Sequence, residues 1–234
     1  PDINTGDVVF TVHDGAIRYA LSAIKGIGRP VIEALVAERE AHGPYTSLKN
    51  FASRLSGKEV NKRTIESFIK AGAFSNIHSN RRQLMLCYVQ ILDQIAEEKK
   101  SNLAGQMSLF DFADKDEKQE YDFHYPDVEE YSKEELLAFE KEVLGIYVSG
   151  HPLDDYKEKI SKNVTGYSYD FIVDEETGKT KVEDGSLYVI GGMITSKTVK
   201  TTRNNGIMAF ITLEDLFGSV EVIIFPKDFE KYKS

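Results

Sequence analysis

Leu21-Ser22-Ala23-Ile24-Lys25-Gly26-Ile27-Gly28-Arg29-Pro30 runs straight into a helical pattern, and its two glycines give it meaning. Pro30 suits the first turn of a helix, Val31, Ile32 and Leu35 form an apolar face, and Gly43-Pro44 mark the stop. Glycines at 26 and 28 let the backbone turn tightly and approach a ligand with no Cβ in the way. Amide N–H groups just ahead of a helix then point outward, where the dipole also favours an anion. Lys25 and Arg29 add positive charge beside Gly26, Ile27 and Gly28. The same letters also fit a plain corner between two helices. Upstream, Val8 to Val12 and Ala16 to Tyr19 alternate around Asp14-Gly15, which favours a two-residue hairpin turn.

Downstream, Ser47 can cap a short helix carrying Leu48, Phe51 and Leu55. Asn61 can cap another, with Ile65, Phe68 and Ile69 inward and Gly72 at its end. Ala71-Gly72-Ala73 keeps one glycine where the earlier hairpin has two, so a second anion site is not expected there. Lys58, Lys62, Arg63, Arg81 and Arg82 either line the same side as Lys25 or form an ordinary solvated face. Residues 80–100 then read as one long helix, with Leu84, Tyr88, Ile91, Leu92 and Ile95 at helical spacing. It delivers the chain to Gly105 and to Gln106-Met107-Ser108-Leu109-Phe110. An exposed Leu-Phe pair costs solubility. Such a peptide docks by filling a partner's apolar pocket while a polar residue fixes the register; the alternative is that the pair tucks back onto its own domain. Residues 111–130 are acidic and weakly patterned, and are expected to form a mobile or loosely packed linker.

Charge is segregated. The 234 residues carry a net −9, yet residues 15–82 hold 12 Lys and Arg against 5 Asp and Glu, while residues 101–150 hold 4 against 13. A basic block in an acidic chain points to a polyanion as the partner of that block alone. No apolar run approaches the roughly 20 residues of a membrane span, so no membrane partner is expected. Cys87 is the single cysteine, which excludes an internal disulfide, and it shares a helix stripe with Leu84 and Ile91. The five histidines show no metal-ligand spacing. Asp114-Lys115-Asp116 sits in a charge run with no strand to fix it, so neither a catalytic nor a metal site is assigned.

Order returns at Ser132, which forms a capping box with Glu135; Leu136, Phe139, Val143 and Tyr147 continue a helical face. Residues 154–185 are polar and poorly periodic, with a turn at Thr177-Gly178. From Leu187 the period becomes two. Leu187 to Lys200 is expected to be one long strand kinked at Gly191-Gly192, followed by a turn at Asn205-Gly206. Strands at Ile207–Leu213 and Val220–Phe225 follow, giving an α+β, multi-domain chain.

Four features resemble known families. Residues 21–43 resemble the helix–hairpin–helix motif, whose hairpin holds a DNA backbone phosphate without reading sequence; Ile32 stands where that motif often has a small residue, which implies looser helix packing. Gln106-x-x-Leu109-Phe110 resembles the peptide by which bacterial polymerases and repair proteins grip the ring-shaped sliding clamp. Glu140-Lys141-Glu142-Val143-Leu144-Gly145-Ile146-Tyr147-Val148-Ser149-Gly150-His151-Pro152-Leu153 is similar to a signature of the bacterial DNA polymerase III alpha subunits, the replicative polymerases. The glycine-kinked meander resembles the opening of an OB-fold barrel, three strands of the five it needs.

The resemblance to the alpha-subunit family spans nearly the whole chain, in one order, and agreement of independent features outweighs any single match. It implies the end of the fingers and a β-hairpin over 1–20 and a helix–hairpin–helix domain over 21–105. A clamp-binding peptide and acidic linker over 106–130, a helical connector over 131–186 and a partial OB-fold over 187–234 follow. Neither end reads as a natural terminus, so the chain is expected to be a segment of a longer nucleotidyltransferase, inactive alone. Its parent's palm would hold the catalytic aspartates and magnesium, and no cofactor is expected in this segment. The resemblance implies primer–template duplex as partner of Lys25, Gly26, Ile27, Gly28, Arg29, Lys62 and Arg63, and the sliding clamp as partner of Gln106, Met107, Ser108, Leu109 and Phe110. It implies single-stranded template near Lys200 and Arg203, and a cytoplasmic location. Two rivals remain at this point: a non-catalytic DNA-repair adaptor carrying the same modules, and the anticodon-binding OB module of a transfer-RNA synthetase, which leaves residues 15–152 without a role.

Overall fold

A computed structural model of the chain describes residues 1–13, 15–55, 57, 60–103 and 123–233. The clamp-type peptide Gln106–Phe110, Asp114–Asp116 and Lys58 lie outside the described residues. The chain divides into two compact units, Pro1–Ser149 and Gly150–Ser234.

The first unit opens with a short antiparallel hairpin, β1 (Thr11–His13) and β2 (Ala16–Arg18), in register Val12 opposite Ile17. Helix α1 (Arg29–His42) starts at Gly28, carries Pro30 in its first turn and stops at Gly43, whose φ of 82° only glycine adopts readily. Ile32 is completely buried along with Leu35, so the larger side chain lies inside the core. Caps fall where short polar residues precede apolar runs. Ser47 Oγ accepts the Asn50 amide (3.0 Å) at the start of α2 (Leu48–Leu55), and Asn61 Oδ1 accepts the Thr64 amide (3.0 Å) at the start of α3 (Lys62–Lys70). Phe51, Phe68 and Phe74 meet edge to face at 5.2–6.1 Å between these helices. Helix α4 (Arg81–Leu103) lays Leu84, Cys87, Ile91 and Ile95 into the same core.

The acidic linker is corrected for residues 123–130. Phe123 and Tyr125 pack against the core, Asn80 Nδ2 donates to Val128 O (2.8 Å), and Gln83 Nε2 donates to Pro126 O (2.9 Å). The Glu130 carboxylate accepts the amides of Arg81 and Arg82 (2.7 and 3.0 Å), placing a negative charge on the N-terminus of α4. Helix α5 (Lys133–Leu144) carries the full Ser132/Glu135 capping box and ends at Gly145, φ 81°. Its buried residues are Leu137, Glu140, Val143 and Leu144, so the expected face is rotated, and Tyr147 lies beyond the helix end.

In the second unit, α6 (Lys157–Asn163) forms within the stretch whose sequence showed no period. The sheet has order β3–β4–β5, antiparallel throughout: β3 (Met193–Thr201), β4 (Ile207–Glu214) and β5 (Ser219–Ile224). The expectation of one strand from Leu187 is corrected. Val189 spends its backbone bonds on Thr165 instead (Thr165 N to Val189 O, 2.8 Å; Val189 N to Thr165 Oγ1, 2.8 Å), and pairing begins only at Met193. A side chain on Gly192 would collide with the Glu214 carbonyl oxygen, and a bulge follows between Ile194 and Ser196. Asn205, at φ 57°, makes the expected turn. Helix α7 (Pro226–Tyr232) packs on β4 through Phe229.

Candidate nucleic-acid interface

The glycine stretch is held from both sides. The Lys25 amide donates to Val143 O at the end of α5 (2.7 Å), and Tyr19 Oη donates to Leu144 O (2.9 Å). Gly26 turns the chain at φ 81°, Ile27 faces the core, and Gly28 is extended (φ −72°, ψ 142°) as the cap of α1. Among the described residues the amides of Gly26, Gly28 and Arg29 have no hydrogen-bond partner, while both glycines are exposed. Unpaired amides at the start of a helix form an anion site.

Opposite Gly26 stands α3. Lys25, Gly26, Lys62, Arg63, Glu66, Ser67 and Lys70 enclose a hollow of about 580 Å³ with Glu142 and Val143 of α5. A Cβ on Gly26 would lie 3.6 Å from Ser67 Oγ and 3.9 Å from Arg63 Nε. The cations differ in what they already hold. Lys62 pairs with Asp93 (3.0 Å), Arg29 with Glu33 (2.8 Å), and Lys70 with Glu66 (3.0 Å) and Glu142 (2.8 Å). Burial pulls the Lys70 ammonium down, but its bonds to Glu142 and Glu66 outweigh that and leave its pKa raised, so it stays charged. Lys25 and Arg63 have no ionic partner among the described residues.

The structure therefore brings Lys25, Gly26, Lys62 and Arg63 together around one hollow, with Gly28 and Arg29 at the adjoining helix start and Ile27 in the core beneath. Arg81 is corrected as a member of a surface stripe: its part-buried guanidinium pairs with Glu140 (3.3 Å) and donates to Lys70 O (3.1 Å). Arg82 lies over the Tyr131 ring (5.9 Å). Lys200, in the second unit, lies over the Phe210 ring (4.9 Å), and Arg203 is exposed in the β3–β4 turn.

Sequence reasoning missed Glu140. Its carboxylate is 2% exposed and accepts the amides of Val148 (2.8 Å) and Ser149 (2.9 Å) besides the Arg81 guanidinium. Burial pushes its pKa up, but the amides of Ser149 and Val148 and the Arg81 charge outweigh that and leave it lowered. The available signal was its spacing: Glu140 falls on one helix face with Leu137, Val143 and Leu144.

Comparison with known proteins agrees with both units. The family model of the helix-hairpin-helix motif matches residues 1–84, and that of the OB-fold nucleic acid binding domain matches residues 188–234. Over its whole length the chain is 37% identical to DNA polymerase III subunit alpha of Borreliella burgdorferi, 35% to that of Treponema pallidum and 36% to that of Aquifex aeolicus. The chain belongs to the DNA polymerase III alpha-subunit family. It covers 20%, 19% and 18% of those three relatives, so it corresponds to about a fifth of an alpha subunit. Within that fifth, the matched helical region contains the glycine hairpin and α1–α3, and the matched barrel region contains β3–β5 and α7.

Proposed function

We propose that this chain is the part of a replicative DNA-directed DNA polymerase that grips duplex DNA behind the active site and tethers the enzyme to its sliding clamp. The observation that carries the first half is the hollow between Gly26 and α3, where, among the described residues, the exposed amides of Gly26, Gly28 and Arg29 have no partner and the cations Lys25 and Arg63 beside them form no ion pair. Amides and cations grip phosphate oxygens on any sequence, as a replicative enzyme requires. The grip on the clamp belongs to Gln106–Phe110. Gln106 bonds at the mouth of a pocket, Leu109 and Phe110 fill its floor, Met107 adds a flexible contact and Ser108 matters least. The nucleotidyl transfer itself, with its magnesium, belongs to the parent's palm, and the chain alone is inactive. Among the described residues no helix is long and apolar enough to cross a membrane.

Gly28→Val tests the grip. Its extended backbone suits valine, and the nearest atom to an added Cβ is Pro30 Cδ at 3.7 Å, so the variant folds, losing about 1 kcal/mol of cap preference. Its isopropyl group covers the free amides. Duplex affinity measured by fluorescence anisotropy should fall about tenfold, equally on unrelated sequences. Unchanged affinity in the folded variant removes the hairpin from the interface.

A further inference from the structure

Ser67 is the one neutral polar side chain in the wall of this hollow, and its surroundings are unusual. It sits in the middle of α3, 8% exposed, yet its hydroxyl holds no hydrogen bond among the described residues. Among the described residues no buried side-chain oxygen or nitrogen lacks a partner, so the small exposed part of Ser67 includes its Oγ, which is open to the hollow where a serine in a helix more often turns back onto a carbonyl one turn earlier. Here Oγ faces the hairpin instead, 3.6 Å from where a Cβ of Gly26 would stand, and Arg63 Nε lies 3.9 Å from that same point. Arg63 and Ser67 are four residues apart and so share one face of α3. The glycine leaves room between hairpin and helix, and three kinds of donor converge on it: backbone amide, guanidinium and hydroxyl.

We propose that Ser67 is a phosphate ligand: its hydroxyl donates to a non-bridging oxygen of one DNA backbone phosphate, held between the Gly26 side of the hairpin and Arg63. This assignment rests on the hairpin being the duplex grip and adds a donor from α3, so the phosphate is held from two helices rather than one. Carboxylates at the rim do not compete for the anion's place, because Glu66 and Glu142 are engaged by Lys70. A hydroxyl reaches a phosphate oxygen without adding charge, and it cannot distinguish one base sequence from another.

Neutrality supplies the test. In the 234-residue chain, Ser67→Ala should melt at the parent's temperature or slightly above, since alanine favours helix and removes an unpaired hydroxyl. Binding to a labelled 20-base-pair duplex should weaken about tenfold at every salt concentration, the worth of one hydrogen bond to a charged group. The slope of log affinity against log salt should stay unchanged, whereas Arg63→Gln should flatten it by about 0.9. Ser67→Cys, close in size but a poor donor, should behave as Ser67→Ala does and guards against a repacking effect of the alanine. Inorganic phosphate replacing chloride at constant ionic strength should not displace the duplex. If Gly28→Val weakens binding while both Ser67 variants bind as the parent does, the hairpin grip stands and Ser67 is not a ligand. If Gly28→Val also binds normally, the grip itself fails and this assignment falls with it. Displacement by free phosphate from the parent but not from Ser67→Ala would make the hollow a site for the free anion and overturn its assignment to DNA.

Discussion

Glu140 joins three parts of the first unit through one carboxylate. One oxygen takes two amides of the chain leaving α5, and the other meets Arg81 at the start of α4, whose guanidinium also binds the last carbonyl of α3. In Glu140→Gln the amide oxygen can keep the two backbone donors only by turning its NH₂ group onto Arg81, donor against donor. Breaking a buried pair in this way costs about 3–5 kcal/mol, which urea denaturation at neutral pH should show. The sign of the pH dependence follows from a folded pKa below the unfolded value of about 4.5. The stability Glu140 contributes is present above that value and is lost as pH falls through the lower folded one. Acid titration should therefore destabilise the parent more steeply than Glu140→Gln through the region below about 4.5. Parallel acid profiles would remove Glu140 from the account.

At the scale of elements, the β3–β4 turn presents Arg203 to solvent at the end of a strand that carries Lys200 on one face, over the Phe210 ring, and Lys197 on the other, over Phe229. OB-type sheets hold single strands by basic grooves and stacking rings. Residues 187–234 have only 6 Lys and Arg against 5 Asp and Glu, so weak binding is expected from this chain. A photocrosslinker at position 203 in the intact parent enzyme should label single-stranded template; labelling of duplex alone, or of no DNA, contradicts that. What the sequence showed of these elements follows from how local their causes are. The caps at Ser47, Asn61 and Ser132 and the stops at Gly43 and Gly72 need only neighbours within a turn, and all were readable. The start of β3 was not, because alternation at Leu187–Ile190 is the same whether the backbone pairs with β4 or with Thr165. Nor was the partner of Glu140: its spacing could mark it as inward-facing, but Arg81 lies 59 residues away. Lys25, Gly26 and Arg63 were readable as types, but Ser67 joins them only because the fold sets α3 against the hairpin.

For the whole molecule, grip and tether should be separable. The proposed clamp peptide follows α4, which ends at Leu103, whereas the hollow is built from residues before 71 and from α5. Burying Leu109 and Phe110 in a partner is worth about 1.5–3 kcal/mol each before the cost of ordering the peptide. An isolated peptide should then bind the clamp near micromolar, about −8 kcal/mol. Leu109→Ala combined with Phe110→Ala should abolish binding to the clamp from the same organism, measured by calorimetry, and leave melting and duplex affinity as in the parent. Undiminished clamp binding, or a lowered melting temperature, would show that the pair serves the domain's own core.

The bond from Tyr19 to Leu144 spans 125 residues, and the Lys25 amide waits for Val143 beside it. A ribosome adds about 5–20 residues each second, so the hairpin emerges roughly 6–25 s before its brace exists. Throughout that interval the nascent chain carries a basic, half-braced loop in a cell crowded with RNA and DNA. Competence to grip a duplex thus arrives late in synthesis, with the close of α5, and a chain broken off before Gly145 would carry the DNA-facing residues without the geometry that makes them useful.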